Sequence, residues 1–95
     1  MAPRVWFITG CSSGFGEQLA LEALSRGDKV IATARNPSKL DSLKKAGANV
    51  MALDVTAPLE ELQASATEAY RVYNRIDVLV NNAGYIMQGA LEELT

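Results

Sequence analysis

Short apolar runs alternate with longer amphipathic segments along this chain. Four of the runs are rich in valine, isoleucine and leucine, and most lack the polar–apolar alternation of a half-exposed strand. They therefore predict strands buried on both faces, as in a sheet that helices cover on each side. The predicted strands are 5–8, 29–34, 49–53 and 76–80.

Three segments with helical spacing lie between the predicted strands. The first begins near Phe15 and ends near Gly27, a residue type that suits the position after a helix. The second opens at Asn36 and Pro37, a capping side chain followed by a proline in the first turn. The third follows Pro58 and places leucine, alanine and tyrosine on one face.

This strict alternation of strands and helices predicts right-handed crossovers and a parallel sheet. We expect an α/β fold, a Rossmann-type three-layer sandwich with the strand order 3-2-1-4 that is incomplete at its C-terminal side. The 95 residues, 48% of them hydrophobic, are enough for one small domain spanning 1–95.

Charge and cysteine content exclude several classes of function. A net charge of −2 gives no electrostatic reason to expect nucleic acid as a partner. No apolar run approaches the ~20 residues that span a bilayer, so we expect no membrane span and a cytoplasmic location. The single cysteine, Cys11, excludes an internal disulfide. It is either a reactive thiol near a helix N-terminus or a small residue tolerated in a turn. We expect no metal site.

A glycine-rich segment connects the first predicted strand to the first helix. The amides at a helix N-terminus lack intrahelical partners and attract anions. Gly10 allows a tight exit from the strand, Gly14 lets a pyrophosphate approach the main chain, and Gly16 lets the helix pack closely. Ser12 and Ser13 can add hydroxyl donors. The segment predicts a dinucleotide phosphate site, with a purely structural turn as the alternative. Its sequence is Thr9-Gly10-Cys11-Ser12-Ser13-Gly14-Phe15-Gly16.

Arg35 closes the second predicted strand, about 20 residues beyond the glycines, where dinucleotide folds distinguish their cofactors. An acid there binds the ribose 2′-hydroxyl, whereas an arginine accommodates a 2′-phosphate through charge-assisted hydrogen bonds. Thr33 and Asn36 can add neutral hydrogen bonds. We therefore expect NADP(H) as the cofactor; the alternative is a solvent-facing arginine at a strand end.

Polar groups also follow the third and fourth strands. Asp54 is within reach of an adenine amino group, or else it only initiates the turn before Pro58. The fourth strand ends in two amides and bare backbone, which also suit a structural turn. In the predicted order the fourth strand lies beside the first, so a ligand should bind in the crevice between them. The residues after the fourth strand are Asn81, Asn82, Ala83 and Gly84.

Together these motifs resemble the classical short-chain dehydrogenase/reductase family over nearly the whole chain. The resemblance implies that the backbone of Gly14, Phe15 and Gly16 cradles the pyrophosphate. It also implies that the Asp54 side chain and the Val55 main chain bind adenine. The motifs that carry it are Thr9-Gly10-x-x-x-Gly14-x-Gly16, Asp54-Val55 and Asn81-Asn82-Ala83-Gly84.

The same resemblance assigns roles to the Asn-Asn-Ala-Gly motif. Asn81 and Asn82 would support the central sheet and the adenosine ribose, with Ala83 and Gly84 beside the cofactor. The stretch from Trp6 to Gly16, with Ala34 to Pro37, is similar to a branch close to 17β-hydroxysteroid dehydrogenase-like members.

The catalytic groups of that family, a serine, a Tyr-x-x-x-Lys pair and a helical asparagine, come after the Asn-Asn-Ala-Gly motif. The resemblance implies hydride transfer between nicotinamide and a carbonyl or alcohol carbon, with the tyrosine as general acid and base. Tyr70, Tyr73 and Tyr85 have no lysine four positions later. We therefore expect the cofactor-binding half of a reductase, truncated before its catalytic segment, with no catalytic residue of its own. Its fourth strand would become an exposed edge, which predicts aggregation and weak cofactor affinity.

Other interpretations of the sequence remain open. The chain could be a non-catalytic NADP(H)-binding module, or half of a methyltransferase, although Arg35 stands where that class needs an acid. A small carbonyl or alcohol substrate is expected only in the full-length form, as is a homo-oligomer. Tyr70 and Tyr73 form a ligand-stacking pair or simply pack. The pair Glu60-Glu61 is expected on a solvated helix face.

Overall fold

The four predicted strands form one parallel sheet. A computed structural model describes residues 3–12, 14–54 and 56–80 of the chain. The strands lie in the order β3-β2-β1-β4, which confirms the predicted 3-2-1-4 arrangement. Their bounds are β1 Val5–Ile8, β2 Lys29–Ala34, β3 Asn49–Ala52 and β4 Val78–Val80.

The helical segments also form, with one difference in the second. This segment starts as a 3₁₀ turn, Pro37–Leu40, whose cap Asn36 accepts a hydrogen bond from the Ser38 amide at 3.1 Å, as the sequence predicted. It continues as a short α-helix. The α-helices are α1 Gly14–Ser25, α2 Asp41–Lys45 and α3 Leu59–Tyr73.

Helices cover both faces of the sheet, which explains why its strands lack alternation. Within β1, Ile8 packs into the cluster that includes α1 and α2, and Phe7 packs into the cluster that includes α3. Ala20 and Ala23 of α1 are buried, and such small side chains allow a helix to lie close to a sheet. The architecture is the expected three-layer sandwich.

Two aspartates fasten the N-terminal end of β1. Asp28 accepts hydrogen bonds from the Arg4 amide at 3.1 Å and from the Trp6 indole at 3.0 Å, and these hold its pKa below the usual value. Asp77 accepts from the Arg75 guanidinium at 2.9 Å and from the Val5 amide at 2.7 Å, and its pKa is lowered likewise. The sheet is thus secured at the end opposite the glycine-rich segment.

Candidate dinucleotide site

The polar residues predicted for a ligand meet at one edge of the sheet. The glycine-rich segment follows β1, Arg35 follows β2, and Asp54 comes shortly after β3. Because the strands are parallel and adjacent, their carboxyl ends open on the same crevice. The sequence therefore predicted correctly which described residues share this edge.

The strand-to-helix turn has the backbone that its glycine was expected to provide. Gly10 has a φ of 66°, in the left-handed region where a side chain is unfavourable. Just before it, the Thr9 amide donates to the Val80 carbonyl at 3.0 Å. The start of the turn is therefore hydrogen-bonded to the end of β4.

Further along, the turn is bonded to β2. The Cys11 amide donates to the Thr33 carbonyl at 2.9 Å. The Cys11 thiol and the Thr33 hydroxyl both donate to the Ile8 carbonyl, at 3.3 and 3.2 Å. Thr33 is buried, so its expected role as a phosphate donor is wrong: its hydroxyl is used inside the fold.

Burial also decides between the two interpretations of Cys11. The side chain is fully buried, and desolvation raises the pKa of its thiol to about 11, against a smaller lowering by the hydrogen bond with Thr33. The hypothesis of a reactive thiol is therefore wrong, because burial outweighs any help from the nearby helix N-terminus.

We expect Cys11 to resist alkylation in the folded protein at pH 8. With a pKa of about 11, roughly one thiol in a thousand is ionised at that pH. Iodoacetamide labelling followed by peptide mass spectrometry, with and without 8 M urea, should show modification only after unfolding. Rapid labelling under native conditions would contradict the burial of this residue.

The N-terminus of α1 is open where an anion would approach. Gly14 is exposed, and a Cβ built on it would meet no atom within 4 Å. Its φ lies outside the left-handed region, so the fold itself does not require glycine here. Ser12 and Phe15 are also exposed, whereas Gly16 is a buried residue of α1. The open space above Gly14 fits the close approach predicted for a pyrophosphate.

Arg35 and Asp54 form an exposed ion pair that the sequence did not predict. The guanidinium Nη2 lies 3.8 Å from Asp54 Oδ1, and the two side chains are 75% and 46% exposed. The register that places Ala34 beside Ala52 brings these two strand ends to the same level. The pairing could have been found from the sequence only if that register had been known.

Asp54 also initiates a turn. Its Oδ1 accepts hydrogen bonds from the Thr56 hydroxyl at 2.6 Å and the Thr56 amide at 2.9 Å. These bonds, with a smaller contribution from Arg35, hold the pKa of Asp54 below its usual value. Among the described residues Oδ2 receives no hydrogen bond. The turn role and a role as acceptor for an amino group are thus compatible.

A pocket of about 220 Å³ lies beside this ion pair. Arg35 and Asp54 form part of its wall, and α3 contributes Glu61, Leu62 and Ser65. The expectation that Glu61 lies on a solvated face is therefore incomplete: the side chain is exposed, but it also borders the pocket.

A family model described as short chain dehydrogenase matches residues 4–95. The chain belongs to the short-chain dehydrogenase family. This confirms the resemblance carried by its glycine-rich, Asp-Val and Asn-Asn-Ala-Gly motifs, and it argues against a methyltransferase. The finer likeness to the 17β-hydroxysteroid dehydrogenase-like branch stays a prediction.

Individual relatives agree with this assignment. Oxidoreductase BOA17 of Botryotinia fuckeliana (strain B05.10) is 45% identical over 95 residues, covering 96% of this chain and 34% of that protein. The NADP-dependent 3-hydroxy acid dehydrogenase YdfG of Salmonella typhi is 46% identical over 82 residues, covering 81% of this chain and 32% of that protein. The chain thus spans about a third of the length of these relatives.

A solved structure gives the same result for the fold. The crystal structure of a metagenomic short-chain oxidoreductase in complex with NADP superposes with a TM-score of 0.78 at 37% identity. The match covers 85% of this chain and 39% of that one.

Several predicted site residues of this short-chain dehydrogenase lie outside the described residues. They are Ser13, Val55, Asn81, Asn82, Ala83 and Gly84. Of the pair Tyr70 and Tyr73, Tyr73 packs against the cluster between the sheet and α3, as the packing interpretation expected. Tyr70 is 42% exposed.

Within the described part of the chain, no three histidine, cysteine, aspartate or glutamate side chains come together as metal ligands. Over the same residues, no helix is both long and apolar enough to cross a bilayer.

Proposed function

We propose that this chain forms the NADP(H)-binding part of an oxidoreductase that acts on carbonyl or alcohol substrates. The single observation that carries the choice of cofactor is Arg35, an exposed guanidinium at the end of β2, with no acid at either neighbouring position. The proposal covers residues 1–95 as one cofactor-binding unit, a cytoplasmic location, and, for the full-length protein, a small-molecule substrate and homo-oligomer formation.

The glycine-rich segment supports the dinucleotide part of the proposal. The N-terminus of α1 carries the positive end of the helix dipole, and the exposed Gly14 at its first position leaves space for an anion to approach the backbone. A pyrophosphate would accept hydrogen bonds there from the backbone of Gly14, Phe15 and Gly16, and Ser12 would add a hydroxyl.

Arg35 and Asp54 would bind two different groups of the adenosine half of the cofactor, the 2′-phosphate and the adenine base. A 2′-phosphate would accept charge-assisted hydrogen bonds from the guanidinium of Arg35. An adenine amino group would donate to Asp54 Oδ2, since Oδ1 already serves the turn to Thr56. Val55, Asn81, Asn82, Ala83 and Gly84 keep their proposed contacts with adenine, ribose and the central part of the cofactor.

The chemistry itself depends on groups beyond this stretch of chain. Bound nicotinamide supplies or accepts the hydride. The residues named above bind and orient the cofactor, and we assign none of them a proton-transfer role. Two similar proteins support the choice of cofactor. YdfG of Salmonella typhi is described as NADP-dependent, and the metagenomic oxidoreductase was solved in complex with NADP.

Replacing Arg35 with alanine in the full-length protein should weaken NADPH binding by about 10- to 100-fold, because a hydrogen-bonded charge pair typically contributes about 1.5–3 kcal/mol. NADH binding should stay within about twofold, since NADH has no 2′-phosphate. Isothermal titration calorimetry with both nucleotides measures the change in preference.

Arg26→Ala is the matched control for this test. Arg26 is also an exposed arginine in a salt bridge, with Glu22 at 3.0 Å, but it lies just beyond the end of α1, away from the glycine-rich segment. It should leave both affinities unchanged. An unaltered NADPH preference in Arg35→Ala would refute the assignment of Arg35.

A further inference from the structure

The pocket beside Arg35 contains an acidic side chain that the proposed cofactor contacts do not use. Glu61, in the first turn of α3, lines this pocket together with Arg35 and Asp54. Among the ion pairs of the described residues, Arg35 is paired with Asp54 and not with Glu61. The Glu61 carboxylate therefore carries a charge that is not neutralised by a direct contact.

The charge balance around Arg35 is unfavourable for a bound phosphate. One guanidinium is accompanied by two carboxylates, those of Asp54 and Glu61. A phosphate monoester brings about two further negative charges at neutral pH. The Asp54 carboxylate accepts the hydrogen bonds from Thr56 that form the turn. In contrast, the Glu61 side chain makes no hydrogen bond or ion pair with the other described residues.

We propose that Glu61 is a specificity-determining residue that limits the preference of this site for a 2′-phosphorylated cofactor. Its carboxylate repels the 2′-phosphate across the pocket and has no comparable effect on a 2′-hydroxyl. The inference rests on the proposed function, because it presumes that Arg35 receives the 2′-phosphate of NADP(H). The ratio of the affinities for NADPH and NADH would then depend on the attraction of the 2′-phosphate by Arg35 and its repulsion by Glu61.

Glu60 is a matched control within the same helical turn. Glu60 and Glu61 both lie in the first turn of α3, where a negative charge stabilises the helix. Both are exposed, but only Glu61 borders the pocket. Neutralising either residue removes the same charge and the same helix stabilisation, so a difference in cofactor binding isolates the effect of the pocket.

The test is titration of the full-length protein, and of its Glu61→Gln and Glu60→Gln variants, with NADPH and NADH at about 20 mM and about 300 mM salt. Glu61→Gln should tighten NADPH binding by about two- to fivefold at low salt, because removing one charge acts on the doubly charged phosphate through a partly screened medium. NADH binding should not change. The gain should shrink at high salt, and Glu60→Gln should bind both nucleotides like the wild type.

A charge reversal makes the test decisive. Glu61→Lys should tighten NADPH binding further than Glu61→Gln, and thermal melting of each variant excludes misfolding. If the two glutamine variants behave alike, or if NADPH and NADH shift equally, the inference about Glu61 is overturned while the proposed function stands. If the wild-type protein binds neither nucleotide, the proposed function itself fails.

Discussion

Replacing Gly14 with aspartate should abolish NADP(H) binding without destabilising the fold. Gly14 is the first residue of α1, and a Cβ there meets no atom within 4 Å. An acidic side chain in the first helical turn is favourable by about 0.3–1 kcal/mol. A bound pyrophosphate would face this carboxylate, and two unit charges about 4 Å apart near a protein surface repel by about 4 kcal/mol. We expect at least a 100-fold loss of affinity, or about 2.7 kcal/mol.

Stability and binding should therefore change independently in this variant. Thermal melting and NADPH titration of the full-length protein measure the two effects. Gln18→Asp carries the same charge to an exposed position one turn further along α1 and should bind NADPH within about threefold of the wild type. Undiminished NADPH binding by Gly14→Asp would show that the pyrophosphate does not lie over the start of this helix.

Replacing Phe7 with alanine should destabilise the protein by about 3–5 kcal/mol. The Phe7 side chain is 0% exposed and packs in the cluster between the sheet and α3. Its removal leaves a cavity, and the total stability of a folded protein is typically only about 5–15 kcal/mol. Urea unfolding followed by circular dichroism should show a large decrease in the midpoint concentration, or no folded baseline.

The other phenylalanine of the chain provides the control. Phe15 is 67% exposed at the start of α1, and Phe15→Ala should change the free energy of unfolding by less than about 1 kcal/mol. The two variants delete the same atoms, and the difference in burial is expected to dominate over the difference of about 1 kcal/mol or less in strand and helix propensity. Equal destabilisation would contradict the assignment of Phe7 to the core.

Local patterns were sufficient for most of the fold and for part of the candidate site. Continuous apolar runs indicated strands covered on both faces, and the cap at Asn36 located the start of the second helical segment. The position of Arg35 and Asp54 after adjacent strands followed from the parallel order. These features depend on residues close together in sequence, or on rules of topology that need no side-chain detail.

The features that the sequence did not predict depend on how separate elements meet. The hydrogen bond from the Thr33 hydroxyl to the Ile8 carbonyl depends on how β2 lies against β1. The ion pair between Arg35 and Asp54 depends on the register of β2 against β3. The place of Glu61 beside the pocket depends on how α3 is rotated against the sheet. None of these has a local signature.

The hydrogen bonds between the glycine-rich segment and β2 have an evolutionary consequence. The shape of the segment depends on main-chain groups and on two small side chains, Cys11 and Thr33, which both reach the Ile8 carbonyl. It does not depend on Arg35, whose side chain is 75% exposed. If Arg35 binds the 2′-phosphate as proposed, a single substitution at position 35 would change the preferred cofactor without altering this segment. Cys11 and Thr33 have no such freedom, since both are buried and a larger side chain at either position would disturb the segment.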